Sequence, residues 1–353
     1  MKATDLRTLG RTGVELTQLG QGTAPLGDLF VTLDEVQATQ VIDEAWSAGV
    51  RFYDTAPWYG LGQSEHRCGR ALYRRPRHEF VLSTKVGRYL TAPAPGRTPA
   101  PTIWKSGAPF NVVFDYSYDG VMRSVEQSMQ RLGLSRIDLL LIHDLDFAYH
   151  GTEASVAAYL GQLKTGGARA LAALREQGVI RGFGAGINER GMIARLLGLL
   201  DIDFFLVAMP YTLLDQAILD DEFALCEQRG VGLIIGAVLA SGILGTGARP
   251  GATYNYAPAP PEIMAKTERI EAVCKRHGVP LAAAALQFPL GHPLVASVIP
   301  GALSAAHVQQ NVHSLQTPIP AALWDELRAE GLLHPRAPVP AARDAVAAAA
   351  TAR

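Results

Sequence analysis

A long alternation of short apolar runs with segments of helical period constrains the fold of this chain more than any other feature. The runs end in glycine, proline or polar residues and read as eight strands, at residues 16–20, 50–54, 80–85, 137–143, 182–186, 203–209, 232–236 and 295–299. Between the first two, Ala38, Val41, Ile42, Ala45 and Gly49 follow the i, i+3, i+4, i+7 spacing of one buried helix face, with Thr32 and Glu35 as a T-x-x-E capping box and Gly49 as the stop. Residues 121–132 repeat the theme with Val125, Met129 and Leu132 before Gly133, and residues 166–177 do so before Gly178. Apolar strands alternating with helices of this kind build a parallel sheet with its faces covered. Eight of them favour a closed α/β architecture, a (β/α)8 TIM barrel, over an open doubly wound sheet.

The remaining segments fit around that barrel. Residues 7–16 alternate around Gly10 and Gly13 like a short β-hairpin and are expected to cap the barrel floor. Two long irregular stretches, 87–117 with Trp104 and Phe110 and 245–261, are expected to lie over the C-terminal face as lids or binding loops. One barrel domain over residues 1–336 is therefore predicted, followed by an Ala/Pro-rich, solvated tail at 337–353.

Charge narrows the partners. The chain carries 32 Lys and Arg against 33 Asp and Glu, a net charge of −1 without runs of one sign, so no electrostatic footprint for nucleic acid or an acidic membrane is present. Cys68, Cys226 and Cys274 are far apart and form neither a disulfide framework nor a zinc motif. The first ten residues are polar, and no stretch approaches the roughly 20 apolar residues of a membrane span. A cytoplasmic protein with a small-molecule partner is the resulting expectation; no protein partner is predicted.

Asp54, Lys85 and His143 fall at the C-terminal ends of predicted strands two, three and four, and Tyr59 follows strand two. That rim is where barrel enzymes place their chemistry. Each residue alone has an ordinary reading, as a helix cap, a solvated lysine or a structural histidine; four on one rim do not. The segments Y-D-T-A-P-W-Y-G followed by G-x-S-E, then S-T-K-V, then D-L-L-L-I-H-D, resemble the signature of the aldo-keto reductases, and the similarity extends from about Arg7 to Leu315.

The resemblance implies a catalytic tetrad of Asp54, Tyr59, Lys85 and His143 and no metal. Tyr59 would act as acid in reduction and base in oxidation, its pKa of about 10 lowered by the Lys85 ammonium. Asp54 would hold Lys85, and His143 would orient the substrate oxygen. By the same resemblance Gly22, Thr23, Asp54, Gly186, Asn188, Tyr211, Leu239, Ser241, Gly242, Leu244, Pro300, Gly301, His307, Gln310 and Asn311 would hold a nicotinamide cofactor. G-F-G-A-G at residues 182–186 reads as a strand running through its glycines rather than as a dinucleotide-binding turn.

Members that prefer NADP carry a lysine and an arginine after the last strand; here Gly301, Ala302 and His307 stand there, which favours NAD and leaves NADP as the alternative, with Arg249 a possible source of charge. Ala208 replaces a glutamine, and Gly236 or Ala237 an aromatic, in the family's nicotinamide contacts. Q-G-T-A-P-L-G, G-A-G-I-N, Y-T-L-L-D and V-I-P-G-A resemble the bacterial sugar dehydrogenase branch, with L-fucose dehydrogenase, D-threo-aldose 1-dehydrogenase and pyridoxal 4-dehydrogenase. Oxidation of an aldose at C1 is the implied reaction. Trp58, Trp104 and Phe147 are the expected aromatic walls of the substrate pocket. An NADPH-dependent aldehyde reductase and a non-catalytic cofactor-binding subunit are the competing readings, and the intact tetrad argues against the second.

Overall fold

The computed structural model describes residues 1–100 and 102–341. Eight parallel strands form its centre, in the order β3 (Gln21–Gly22), β4 (Phe52–Asp54), β5 (Val81–Val86), β8 (Leu139–His143), β9 (Gly182–Ile187), β10 (Phe204–Ala208), β11 (Gly232–Gly236) and β14 (Val295–Val298). The last meets the first: Gly20 donates its N–H to the Val298 carbonyl (2.9 Å), Val298 donates to that of Gln18 (2.9 Å), and parallel bridges join Leu19 to Val298 and Gly22 to Gly301. The sheet is thereby a closed (β/α)8 barrel.

Alternation along each strand sorts the apolar residues. Phe52, Val81, Leu139, Leu141, Phe204, Leu206 and Ile234 point inward and fill the barrel as one cluster. Their neighbours Tyr53, Leu82, Leu140, Ile142, Phe205, Val207, Leu233 and Ile235 point outward under the helices. In β9 the inward positions are glycines, and at Gly184 space is already taken: a Cβ there would lie 2.2 Å from the Phe204 carbonyl oxygen and 3.0 Å from its ring. G-F-G-A-G is a strand and not a turn, paired in parallel with β8 on one side and β10 on the other.

The floor is closed by an antiparallel hairpin of β1 (Leu6–Thr8) and β2 (Glu15–Thr17), whose Leu9, Val14 and Leu16 join the interior cluster. The predicted first strand at 16–20 is thus corrected: its first two residues belong to the hairpin, and the barrel strand begins after them. The first helix, Glu35–Ser47, is capped by Asp34 with Gln37 rather than by Thr32 with Glu35. Glu35 is instead engaged by Arg67 (2.9 Å), and Thr32 by Ser106 (3.1 Å). Helix Tyr118–Leu132 ends at Gly133 in the left-handed conformation as expected, whereas the helix predicted at 166–177 begins as early as Glu153 and runs to Glu176 through a π-turn at Leu163–Gly167.

Both long irregular stretches contain short ladders, β6 (Arg88–Thr91) with β7 (Asn111–Phe114) and β12 (Thr253–Tyr254) with β13 (Ala257–Pro258). Packing also continues beyond residue 336, since Ala337 is buried and Val339 packs on the core; the rest of the expected tail, residues 342–353, lies outside the described residues.

Burial of His292 beside Tyr211 and Phe223 pushes its pKa down to about 4. The unfolded chain takes up this proton below about 6.5, the folded protein only near 4, so stability falls as pH drops through that window. Between pH 7 and 5 the His292 contribution is about 2 kcal/mol. His292→Asn should therefore lose less stability than wild type over the same interval in denaturant titrations at the two pH values; equal losses would show that His292 does not titrate this way.

Candidate active site

Strand parity and strand ends together assemble the site. Asp54 lies two residues after Phe52, Lys85 four after Val81 and His143 two after Leu141, so all three inherit the inward direction at the C-terminal mouth. Lys85 Nζ donates to Asp54 Oδ2 (2.7 Å) and to the Thr55 carbonyl (2.8 Å), and the Ser83 hydroxyl donates to Asp54 Oδ1 (2.6 Å). The pair is 2% exposed on each side, where an unpaired charge would be strongly disfavoured.

Tyr59 reaches the same point from the loop after β4. Its backbone is held against Gly27, where a Cβ would lie 2.5 Å from both the Tyr59 carbonyl carbon and the Gly60 nitrogen, and Gly60 itself has φ of +64°. Only glycine permits this approach. Lys85 Nζ then lies 4.7 Å from the Tyr59 ring centroid, and the His143 ring 5.9 Å from it. The tetrad converges as its residue types required.

One expectation is corrected. Burial raises the Tyr59 pKa well above its ordinary value, and Asp54 and Asp144 add to the shift. The Lys85 ammonium, ion-paired with Asp54 at 2.7 Å, does not reverse that direction. Burial, with the charges of Arg88 and Lys85, pushes His143 well below its ordinary value, so the imidazole is neutral. Its Nε2 lies 3.2 Å from Asp144 Oδ2.

Two adjoining cavities share Tyr59, Leu206, Ala208 and Tyr256. The larger, about 320 Å³, runs along Gly22, Thr23, Gly236, Leu239, Ser241, Gly242, Pro300, Gly301 and His307. Its volume is within the roughly 300–1,000 Å³ of ligand sites. Small residues at Ala208, Gly236 and Ala237 leave the barrel mouth open there, and helix Ala305–Gln316 points its N-terminus, capped by Ser304, toward the same end. An elongated cleft with a helix N-terminus at one end suits a dinucleotide and its pyrophosphate. The described lining contains no Lys or Arg.

The smaller cavity holds Lys85, His143, Gly186 and Asn188 between Trp58, Trp104 and Tyr149. Trp58 Nε1, Trp104 Nε1 and His143 Nδ1, on residues that line this cavity, are buried without a hydrogen-bond partner among the described residues.

Five expected contacts stand elsewhere. Tyr211 is buried among Phe223, Phe288 and His292, and Leu244 is in the outer core. Gln310 is exposed on its helix, while Asn311 donates to the Gly301 carbonyl (3.4 Å) behind the cavity wall. Phe147 packs beneath the Arg195 guanidinium, 5.3 Å from the ring centroid, and Tyr149 takes its expected place. Sequence reasoning missed Arg88, Asp144, Tyr149 and Tyr256. Asp144 was adjacent to a predicted site residue, but no motif marks Arg88 or the tyrosines.

With fold and site in view, comparison with known proteins is decisive for the family. Residues 18–330 match the Aldo/keto reductase family, and the chain belongs to it. It is an oxidoreductase of CH–OH and C=O groups that uses a nicotinamide cofactor. Among curated relatives it is 42% identical to pyridoxal 4-dehydrogenase of Microbacterium luteolum, covering 94% of this chain and 99% of the relative. It is 38% identical to D-threo-aldose 1-dehydrogenase of a Pseudomonas species, covering 92% and 96%. Among solved structures, the holo form of an aldo-keto reductase from Bacillus halodurans superposes with a TM-score of 0.71 at 26% identity, covering 94% and 97%.

Tyr59→Phe keeps the ring and removes the proton-exchanging oxygen. Turnover should fall about 100-fold or more while the cofactor dissociation constant, read by fluorescence titration, stays near wild type. Lys85→Met should behave alike. Turnover of Tyr59→Phe at the wild-type rate would remove Tyr59 from the chemistry.

Proposed function

We propose that this protein is an NAD-linked dehydrogenase that oxidises a cyclic hemiacetal at its anomeric carbon, acting on an aldose such as L-fucose or D-arabinose to give the lactone. The observation that carries this reading is the buried tetrad, with Lys85 ion-paired to Asp54 2.7 Å away and 4.7 Å from the Tyr59 ring centroid.

The bound nicotinamide supplies the hydride acceptor and, when oxidised, a positive charge beside the phenol. Tyr59 takes the proton of the anomeric hydroxyl; His143, neutral, donates Nε2–H to the same oxygen and fixes its direction. Trp58, Trp104 and Tyr149 exclude water from the reacting carbon. Because burial raises Tyr59, the base form grows with pH, so kcat/KM for oxidation should climb steadily between pH 7 and 10 in initial-rate profiles. A plateau already reached at pH 7 would contradict this role.

The identity of 42% to a pyridoxal 4-dehydrogenase supports a second substrate for the same chemistry. Pyridoxal also closes on its neighbouring hydroxymethyl group into a cyclic hemiacetal. Initial rates with L-fucose, D-arabinose, L-galactose and pyridoxal, each with NAD and NADP, rank the two; activity confined to NADPH and simple aldehydes would overturn the proposal.

The cation-free cleft supports NAD, since a 2′-phosphate would meet no paired charge. His307 is exposed at the cleft and among the described residues its ring accepts only the Leu303 N–H, at 3.3 Å on Nδ1, so His307→Arg adds a cation without rebuilding the wall. It should shift the NADP-to-NAD ratio of kcat/KM upward about tenfold, the effect of one charge-assisted hydrogen bond. Gly301→Lys tests the same point less cleanly, because a Cβ there would lie 2.7 Å from Pro25 Cγ. An unchanged ratio in both variants would place the adenosine end of the cofactor elsewhere.

A further inference from the structure

Arg88 is 1% exposed, yet among the described residues it has a single salt-bridge partner, Asp144 Oδ2 at 2.6 Å. Its Nε and Nη1 have no hydrogen-bond partner among the described residues, and its guanidinium lies against the Tyr149, Phe114 and Trp58 rings at 4.3, 4.9 and 5.3 Å. A buried charge held this way contributes little to stability over an apolar residue of the same size. Its consequence is electrostatic: it holds the Asp144 carboxylate at the wall of the catalytic cavity, next to His143 in sequence.

Asp144 has further unusual features. It follows the end of β8 with φ of +45°, a left-handed conformation disfavoured for any residue but glycine and tolerated by aspartate better than by most. Its hydrogen bonds can be counted. Oδ2 accepts from Arg88 Nη2 and has His143 Nε2 3.2 Å away, whereas Oδ1 accepts from Asn188 Nδ2 at 2.8 Å, its one side-chain donor among the described residues. A carboxylate accepts about four hydrogen bonds, so Oδ1 retains one free lone-pair position. The side chain is 9% exposed, and Asp144 lines the cavity that holds Lys85 and His143.

We infer that Asp144, fixed by Arg88 and Asn188, is a specificity-determining residue that accepts the hydroxyl on the carbon next to the reacting one, so that the site selects 2-hydroxy carbonyl compounds and their hemiacetals. The inference rests on the oxidoreductase reading above and specifies its substrate class. His143 Nε2 lies 3.2 Å from the Asp144 carboxylate, so an oxygen bound at Nε2 would bring a hydroxyl one carbon further along to that carboxylate. A substrate lacking that hydroxyl leaves the carboxylate desolvated and one bond short, which is the stronger form of discrimination.

The test compares two aldehydes that differ only in this group, 2-hydroxypropanal and propanal, by kcat/KM for reduction with NADH and with NADPH. Wild type should favour 2-hydroxypropanal about tenfold or more, the effect of one hydrogen bond to a charged group. Asp144→Asn lowers both rates through His143 but should collapse the ratio toward unity. Because it strands Arg88, it is paired with the double variant Arg88→Met/Asp144→Asn, which removes the buried charges together; thermal melting reports whether each is folded, and the folded one is read. A ratio preserved in the folded variant overturns the inference, as does a wild type that reduces neither aldehyde or prefers propanal. Loss of all sugar and pyridoxal oxidation with the ratio intact would instead remove the proposed function and leave the role of Asp144 standing.

Discussion

The ion pair of Lys85 with Asp54 is the interaction on which the site depends. Two charges at 2% exposure persist only if each meets the other with good geometry and the remaining valences are filled, and here Thr55 and Ser83 fill them. That geometry exists because adjacent parallel strands bring Asp54 opposite Ser83, two residues before Lys85, in one register. A slip of one residue in either strand would turn that strand's charge outward under the helices. The barrel's alternation and its chemistry are thus one constraint, and the layers of Phe, Leu and Val below the pair hold the register.

The mouth of the barrel is divided by side-chain size. On one side Ala208, Gly236 and Ala237 keep the wall low and leave an elongated cleft; on the other Trp58, Trp104 and Tyr149 enclose a small polar chamber. Loops with little regular structure make the aromatic wall, and they are tied down by buried charge. Burial pushes the Asp28 carboxyl up, but the Ser106 hydroxyl and the Arg67 guanidinium outweigh it and hold the group below its usual range. Through these bonds the segment carrying Trp104 is fastened to the loop after β3.

How much of this was legible in the sequence follows from how local each signal is. Seven of the eight barrel strands stand where their apolar runs placed them, because a strand buried on both faces declares itself by composition. The first was misplaced since residues 15–22 serve two sheets in succession, and nothing in a run of Leu, Gln and Gly marks the change of partner. The capping box moved by two residues because Glu35 had a better partner in Arg67, from another helix. Tyr211 and Leu244 follow motif positions of the family yet turn into the core, since the segments carrying them pack against residues far away in sequence.

The sequence by itself determined the barrel, its strand parity and the rim that carries Asp54, Tyr59, Lys85 and His143, because period-two alternation and strand ends are properties of neighbouring residues. Only the tertiary structure decided the charges those groups present. Tyr59 is raised rather than lowered because the phenol is buried beside the Asp54 and Asp144 carboxylates, and His143 is neutral because burial, with the charges of Arg88 and Lys85, disfavours the imidazolium. The pairing of Arg88 with Asp144 joins residues 56 positions apart. Desolvation and Coulomb interaction depend on three-dimensional distance, which no local pattern records.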